Sequence, residues 1–485
     1  MNTLKNFTKT LLLLVIGLPL LNGCNEFLSE NPDNRVELDT PEKCAQLLTN
    51  AYTSAAYNFT EWMGDNVTWT TGTTKLPEHE QSYRWDDITS VNQDTPTYFW
   101  TATYDAIAHA NEVLAVIDKL EGDQALKDAV KAEAYLTRAY GHFMLVNIFA
   151  EQYTDKAASR LGIPYVEEPE TEFIKQYERM SLEVVYSKIE SDITAGLELV
   201  DGSFYANSGK YHFTRNAALA FASRFYLYKG DMDKCIEYSS DMLGADPDVF
   251  VKNLWTLLEN YAEPEDFLAL YTSPNDPSNL LLIRNITNFH VNVGYWPNAD
   301  LLFGTFNTNP FNGADDARTS LRYPIFVRGE NLALGKYQFL FERSSLTSNV
   351  GLNYTINPVF RGEEVLLNRA EAYVYENNIT AALADLQILI NKRYENAPVV
   401  TAARLRTYYQ TTNTQAAVLN YVIDEKRKEF YHEGLRWFDL KRYEIPVEHL
   451  LGDGSVIELD DDDDRKVIQI PQAAIDVGGL QPNPR

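Results

Sequence analysis

The sequence predicts a mostly α-helical fold of helix–turn–helix pairs with a loop-rich capping region and minor β-hairpins. Three observations carry this expectation. First, Tyr226-Leu227-Tyr228-Lys229-Gly230-Asp231-Met232-Asp233-Lys234-Cys235-Ile236 aligns without a gap on Tyr373-Val374-Tyr375-Glu376-Asn377-Asn378-Ile379-Thr380-Ala381-Ala382-Leu383, 147 residues later. Second, apolar residues recur at helical spacing in several long stretches. Third, that period is lost between Asp246 and Arg361, where prolines from Pro247 to Pro358 interrupt it.

The repeat has a physical reading. Gly230 and Asn377 occupy the same place in each copy, and both residue types tolerate the left-handed conformation that ends a helix. Cys235 and Ala382 are both small, where the following helix crosses its partner closely. Such units are of tetratricopeptide type, here spread along the chain rather than in tandem.

The chain has 485 residues and a formal net charge of −27, which opposes nucleic-acid binding. Lys5 and Lys9 precede the apolar run Leu11–Leu21, whose 11 residues fall short of the ~20 that span a bilayer but fit a signal peptide. The run ends in Leu21-Asn22-Gly23-Cys24, which resembles the lipobox of bacterial lipoproteins, so residues 1–23 read as a leader and Cys24 as the acylated residue. Asn25 to Asp39 is a polar tether. Thr40 reads as an N-cap with Pro41 at the first helical position, and Cys44, Leu47, Leu48, Ala51, Tyr52 and Ala55 follow on one helix face. Residues 57–97 lose the period and are rich in Thr, Gly, Asn and aromatics. Helices are expected over Trp100–Leu120, Lys131–Phe149 and, from a Ser cap, Ser181–Leu199. Within 246–361, Leu280-Leu281-Leu282-Ile283 reads as a short buried strand and most of the remainder as long loops. Val456–Leu459 and Val467–Ile470 read as a hairpin with Asp460–Asp464 at its tip. The expected organisation is a region 24–245 with the tetratricopeptide-type helices and a region 246–485 holding the loops and final helices, packed as one composite unit.

No catalytic signature is present. The seven His residues form no H-E-x-x-H or paired metal spacing, and G-x-S-x-G, P-loop and dinucleotide fingerprints are missing. The run Asp460–Asp464 lacks the spaced ligands and central Gly of a calcium loop, so it reads as a solvated turn and no cofactor is expected. Cys44 and Cys235 read as core thiols rather than as a bridge.

The densest motif is Glu425-Lys426-Arg427-Lys428-Glu429-Phe430-Tyr431-His432-Glu433-Gly434-Leu435-Arg436-Trp437-Phe438-Asp439-Leu440-Lys441-Arg442. It reads as a charged helix end, a Gly in a C-cap position and a second helix that buries Trp437, Phe438 and Leu440. Acids and bases three and four apart are expected to pair along and across the two helices, an architectural network rather than a catalytic dyad of Glu425 and Glu429.

This motif closely resembles the signature of the SusD/RagB family of Bacteroidetes outer-membrane lipoproteins. Phe27-Leu28 with Asn31-Pro32 is similar to the family's start after the lipid. Trp100, Tyr104, Ile107, Ala110 and Asn111 are similar to one family helix, and Ala134, Arg138, Ala139 and Tyr140 to the next. Leu366, Arg369, Ala370, Glu371 and Ala372 are similar to a later segment. Ile470-Pro471 through Leu480-Gln481-Pro482-Asn483-Pro484 resembles the family's ending, with Pro482 and Arg485 as departures. The resemblance implies four helix pairs with a loop-rich cap. It also implies an extracellular glycan-binding subunit, without enzymatic activity, that sits on a SusC-like TonB-dependent transporter.

Sugar-contacting residues do not transfer by motif, so the site is argued from chemistry. A pyranose needs flat aromatic platforms flanked by hydrogen-bonding side chains. Trp69, Tyr83 and Trp85 in one non-helical segment, and Tyr295, Trp296 and Asn298 in the other, supply them. Trp296 lies between Tyr295 and Pro297, outside any helical period, so at least one ring of the pair is expected to be exposed. Two alternatives remain open: a peptide receptor of the same architecture, and a helical scaffold without a small ligand.

Overall fold

The structure, a computed structural model, describes residues 37–171, 175–201, 203–205, 207, 209–291 and 294–485. The leader, Cys24, and the Phe27-Leu28 and Asn31-Pro32 matches lie outside the described residues. Helix α1 spans Pro41–Leu48 and starts as expected, the Thr40 hydroxyl accepting from the Lys43 amide at 3.3 Å. The long helices are α4 (Pro96–Val116), α5 (Gln124–Phe149) and α6 (Leu182–Leu199), the last capped by the Ser181 side chain. Helix α4 packs on α5, and α5 on α6.

Helices α7 (Arg215–Lys229) and α8 (Met232–Leu243) form the first copy of the repeat, α12 (Gly362–Tyr375) and α13 (Ile379–Arg393) the second. Their junctions match bond for bond. Gly230 (φ 83°) and Asn377 (φ 56°) take the left-handed conformation. The Asp231 amide returns to the Tyr226 carbonyl at 2.9 Å, and the Asn378 amide to that of Tyr373 at 2.7 Å. Asp231 and Asn378 then cap the next helices. Cys235 and Ala382 are fully buried, and α8 packs directly on α12.

Both stretches expected to be loops hold short elements. Residues 57–97 contain α2 (Phe59–Met63) and α3 (Pro77–Tyr83). Residues 246–361 contain α9 (Leu254–Glu259), α10 (Pro264–Tyr271) and α11 (Ala299–Asn307). Each is too short to show a period, and Pro77 and Pro264 open helices rather than break them. The expected strand lies within β1 (Asn279–Ile286). Strands β2 (Ile325–Arg328) and β3 (Asn331–Leu334) form a hairpin. Strands β4 (Gln338–Arg343) and β5 (Gly351–Arg361) join β1 in an antiparallel sheet of order β1-β5-β4.

The C-terminal hairpin needs correction. Val456–Leu459 is β7, but its partner is β6 (Val447–Leu450), upstream, and Val467–Ile470 is in no strand. Asp463 accepts from the Arg465 amide at 2.8 Å and starts a tight turn, so the acidic run leads away from the hairpin instead of closing it.

After the short α14 (Ala402–Tyr408), the Glu425–Arg442 motif is two helices at a corner, α15 (Thr414–Glu429) and α16 (Arg436–Arg442), with Trp437, Phe438 and Leu440 buried as expected. The helix ends at Glu429, so Gly434 is not its C-cap. With φ 75° it shapes the corner, where a Cβ would stand 2.5 Å from the Thr60 hydroxyl. The pairing is also longer in range than expected. Arg318 reaches Glu425 at 2.9 Å, Arg393 reaches Glu429 at 2.8 Å, and Arg361 and Lys336 both reach Glu433 at 2.8 Å. Arg436 holds Asp65 through two bonds of 2.9 Å. Pairs along the helix remain, such as Arg442–Asp439 at 3.3 Å, but the shorter contacts tie α15 and α16 to distant segments.

Candidate functional site

Four loop segments are laced into one face. The Thr68 amide donates to the Trp296 carbonyl at 3.3 Å and the Thr73 hydroxyl to that of Gly294 at 3.3 Å. The Thr71 amide donates to the Glu330 carboxylate at 3.0 Å, and the Thr70 hydroxyl to the Asn331 side chain at 2.8 Å. The Arg328 guanidinium donates to the Val291 carbonyl, and His290, one residue earlier, packs edge-on against Phe339 of β4, centroids 4.7 Å apart.

Beneath this face stands a column of rings. Tyr295 stacks on Tyr83 at 3.8 Å and 2°, Tyr83 on His449 at 4.0 Å and 7°, and His449 on Trp85 at 4.5 Å and 19°. Lys75 lies over the outer Tyr295 ring at 5.1 Å, and the Arg465 guanidinium is 5.8 Å from Trp85 at the far end. The Tyr83 hydroxyl donates to the Leu450 carbonyl at 2.8 Å, and the Trp85 indole N–H to that of Met63 at 2.9 Å. Burial holds His449 below its ordinary pKa, against the pull of the Tyr83 and Gly64 carbonyls that face its two nitrogens.

The two aromatic segments named from sequence therefore meet, Tyr83 against Tyr295, but not as an open platform. Tyr83, Trp85, Tyr295 and Trp296 are all buried, Trp296 being only 2% exposed. The expectation that Tyr295 or Trp296 is exposed is overturned. Gly294 (φ 55°) turns the chain against His79, and the two rings then find different partners. Tyr295 joins the column, while Trp296 faces Phe289 and His432. Asn298 is engaged as the cap of α11, accepting from the Leu301 amide at 2.9 Å. Of the five named aromatic residues only Trp69 is half-buried rather than buried, with Lys75 5.5 Å from its ring. It rests on the β6–β7 turn, where a Cβ on Gly452 would meet the indole at 2.8 Å.

What the sequence reading missed lies on β4. Phe339 and Phe341, two apart on one strand face, are 42% and 49% exposed. Opposite them on β5 stand Thr355 and Asn353, and Asn353 donates to Asn288 at 2.7 Å. Val291 and Val327 add exposed apolar surface. Burial pushes His290 down to about 3, so its ring is neutral at ordinary pH. The face offers aromatic surface edged by Lys75, Arg328, Glu330 and side-chain amides, which suits a ligand with both apolar faces and hydroxyls. The available signal was the pair of aromatics two apart in Phe339-Leu340-Phe341, which a strand places on one face.

Comparison with known proteins bears on this arrangement. Residues 26–227 match a SusD-like family model described as "Starch-binding associating with outer membrane", and residues 338–474 match the model of the SusD family. The SusD-like protein P2 of Formosa agariphila is 22% identical over 376 residues, 72% of this chain and 71% of that one. A crystal structure of a SusD superfamily protein from Bacteroides thetaiotaomicron superposes with TM-score 0.66 at 20% identity, covering 92% of this chain and 100% of that one. A SusD-like carbohydrate binding protein from Bacteroides vulgatus gives TM-score 0.60 at 19% identity, covering 87% and 89% of the two chains. A laminarin binding SusD-like protein gives TM-score 0.63 at 17% identity, covering 92% and 99%. At these identities the superpositions establish a shared fold.

Proposed function

The chain belongs to the SusD/RagB family, and on that premise we propose that it is a cell-surface glycan-binding lipoprotein. It captures oligosaccharide or polysaccharide and delivers it to a SusC-like TonB-dependent outer-membrane transporter, breaking no bond. The observation that carries the reading is the pair Phe339 and Phe341, held in the open on β4, with His290 packed on Phe339 and the Asn353 amide opposite Phe341. Isolated exposed apolar residues are ordinary, but aromatics clustered on a loop face mark a contact surface. Acylated Cys24 holds the protein at the outer membrane.

The test is calorimetry of the mature chain against a panel of neutral glycans, starch and laminarin among them, with a peptide mixture in parallel. Glycan binding supports the reading. Binding of peptides alone indicates a peptide receptor, and binding of neither a scaffold. In the double variant Phe339→Ala/Phe341→Ala, loss of the anchoring rings costs about 2 kcal/mol, roughly thirtyfold in affinity, at an unchanged melting temperature.

A further inference from the structure

Two clefts flank helix α4, away from the loop face. The first, about 440 Å³, runs between α4, the chain after α1, strand β1 and the Tyr211-His212 turn. The second, about 450 Å³, lies between α4, residues 164–170, Lys175 and Tyr177, and the segment 474–480. Both are of small-molecule size. Asp105 lines both, so the clefts adjoin across the exposed ridge of α4.

Their linings carry solvent-facing groups that no protein partner occupies. The side chains of Asn50 and Asp105 and the Tyr211 hydroxyl, in the first cleft, make no hydrogen bond or ion pair among the described residues, nor does the Glu168 carboxylate in the second. His109 donates its Nδ1 proton to the Asp105 carbonyl at 2.8 Å, which leaves Nε2 an acceptor in the neutral ring. Aromatic faces stand beside these groups. Tyr211 is 41% exposed. In the second cleft the Tyr104 and Tyr177 hydroxyls are engaged by the Pro164 carbonyl and by Glu170, which fixes the rings as walls. The cationic side chain of the first cleft, Arg284, is paired with Glu342, while the second cleft carries Lys175 over the Tyr177 ring at 5.1 Å beside Glu168 and Glu170, so carboxylates outnumber open cations by a small margin.

Resting on the glycan-binding reading above, we propose that these adjoining clefts form a second carbohydrate site, which takes a neutral oligosaccharide laid across α4 at Asp105. Stacking faces and solvent-facing donors and acceptors suit hexose rings, and Asp105, Glu168 and Glu170 outnumber Lys175, which favours neutral chains over uronate-rich or sulfated ones.

The experiment compares three forms of the full mature chain: wild type, the loop-face variant Phe339→Ala/Phe341→Ala, and that variant with Asp105→Asn/Tyr211→Ala added. Each is titrated with laminarin and with other neutral and sulfated glycans, and exchange of backbone amides in residues 101–109 is followed with and without glycan. The proposal expects the loop-face variant to retain binding that falls at least tenfold in the third form, with α4 amides slowed by glycan only while Asp105 and Tyr211 are present. Asp105 and Tyr211 are exposed, and an unchanged melting temperature guards against misfolding. Glycan binding that vanishes in the loop-face variant, with α4 exchange unmoved, overturns the second site and leaves the proposed function standing. A wild type that binds no glycan overturns both, and preference for sulfated chains overturns the neutral-ligand assignment.

Discussion

Arg436 makes a two-pronged bond to Asp65, which follows α2 in sequence by two residues yet lies 371 residues from it along the chain. Burial raises the pKa of the Asp65 carboxyl, but Arg427 and Arg436 outweigh it and hold the group well below the usual carboxylate range. Replacing Arg436 by Ala leaves that carboxylate to Arg427 alone, 3.4 Å away, and should cost about 1.5–3 kcal/mol in chemical denaturation. Arg436→Lys should recover only part of this, because an ammonium cannot make the planar double bond. Glycan affinity of the folded variant is expected to be unchanged, which calorimetry checks.

Glu61 is a second test at this scale. Burial pushes it up to about 7, although the His432 and Gly434 amides and Asn66 donate to its oxygens. Between an unfolded value of 4.5 and about 7 the folded chain holds a proton that the unfolded chain has released. The Glu61 contribution to stability is therefore full below 4.5 and is lost as pH rises through that window. Buried His79 and His142, pushed down to about 4 and about 3, act in the opposite direction below their ordinary value. The effect is thus read as the difference in unfolding free energy between wild type and Glu61→Gln from pH 4.5 to 8, which should narrow as pH rises. Residue-level chemistry was unevenly legible in the sequence. Gly230 and Asn377 announce a backbone requirement that any chain must meet, so they could be read directly. Tyr295 and Trp296 depend on what stands beside them in space, and nothing local says that Tyr83 waits for one ring and Phe289 for the other.

Among the elements, the repeat junction is the cleanest case. A Cβ at Gly230 meets nothing within 4 Å, so Gly230→Ala carries only the backbone cost of φ 83°, about 1–2 kcal/mol in urea denaturation. Asn377→Gly should be neutral or slightly stabilising at the equivalent turn. Gly362, at the start of α12, needs its small size for another reason: a Cβ there would stand 2.1 Å from the Phe250 carbonyl oxygen. The long helices were legible because one face repeats for several turns against a core. Helices of five to eight residues, such as Phe59–Met63 and Pro264–Tyr271, complete too few turns to show a stripe. Strand β6 was hidden for a related reason, since Val447-Glu448-His449-Leu450 alternates for only four residues and its buried His449 counts as polar in a sequence pattern.

At the scale of the whole molecule, the fold class was readable and the working surface was only half so. Composition, the repeat and the C-terminal motif pointed to helix pairs with a loop cap, and the two aromatic segments do converge. The exposed rings lie instead on β4, whose neighbours in the sheet are set by pairing with β5 rather than by its own residues. The proposed anchor at Cys24 is tested on the full chain. Cys24→Ser should move the protein from the membrane pellet to the soluble fraction, because stable attachment needs more than one acyl-chain signal and the variant offers no site for either. Persistent sedimentation of the processed variant would refute the lipid anchor.

The ring column also fixes when the binding face can exist. Its third ring, His449, and the cation at its far end, Arg465, come from the last part of the chain to be synthesised, whereas Tyr83 and Trp85 come from the first. Contacts this distant in sequence close late in folding. Until the ribosome has delivered residue 449 there is nothing for Tyr83 to lean on from that side, and the turn at Gly452 that seats Trp69 is missing too. A chain cut short before that point has most of the helical frame in its sequence but no finished floor beneath the loops that carry Trp69 and Tyr295.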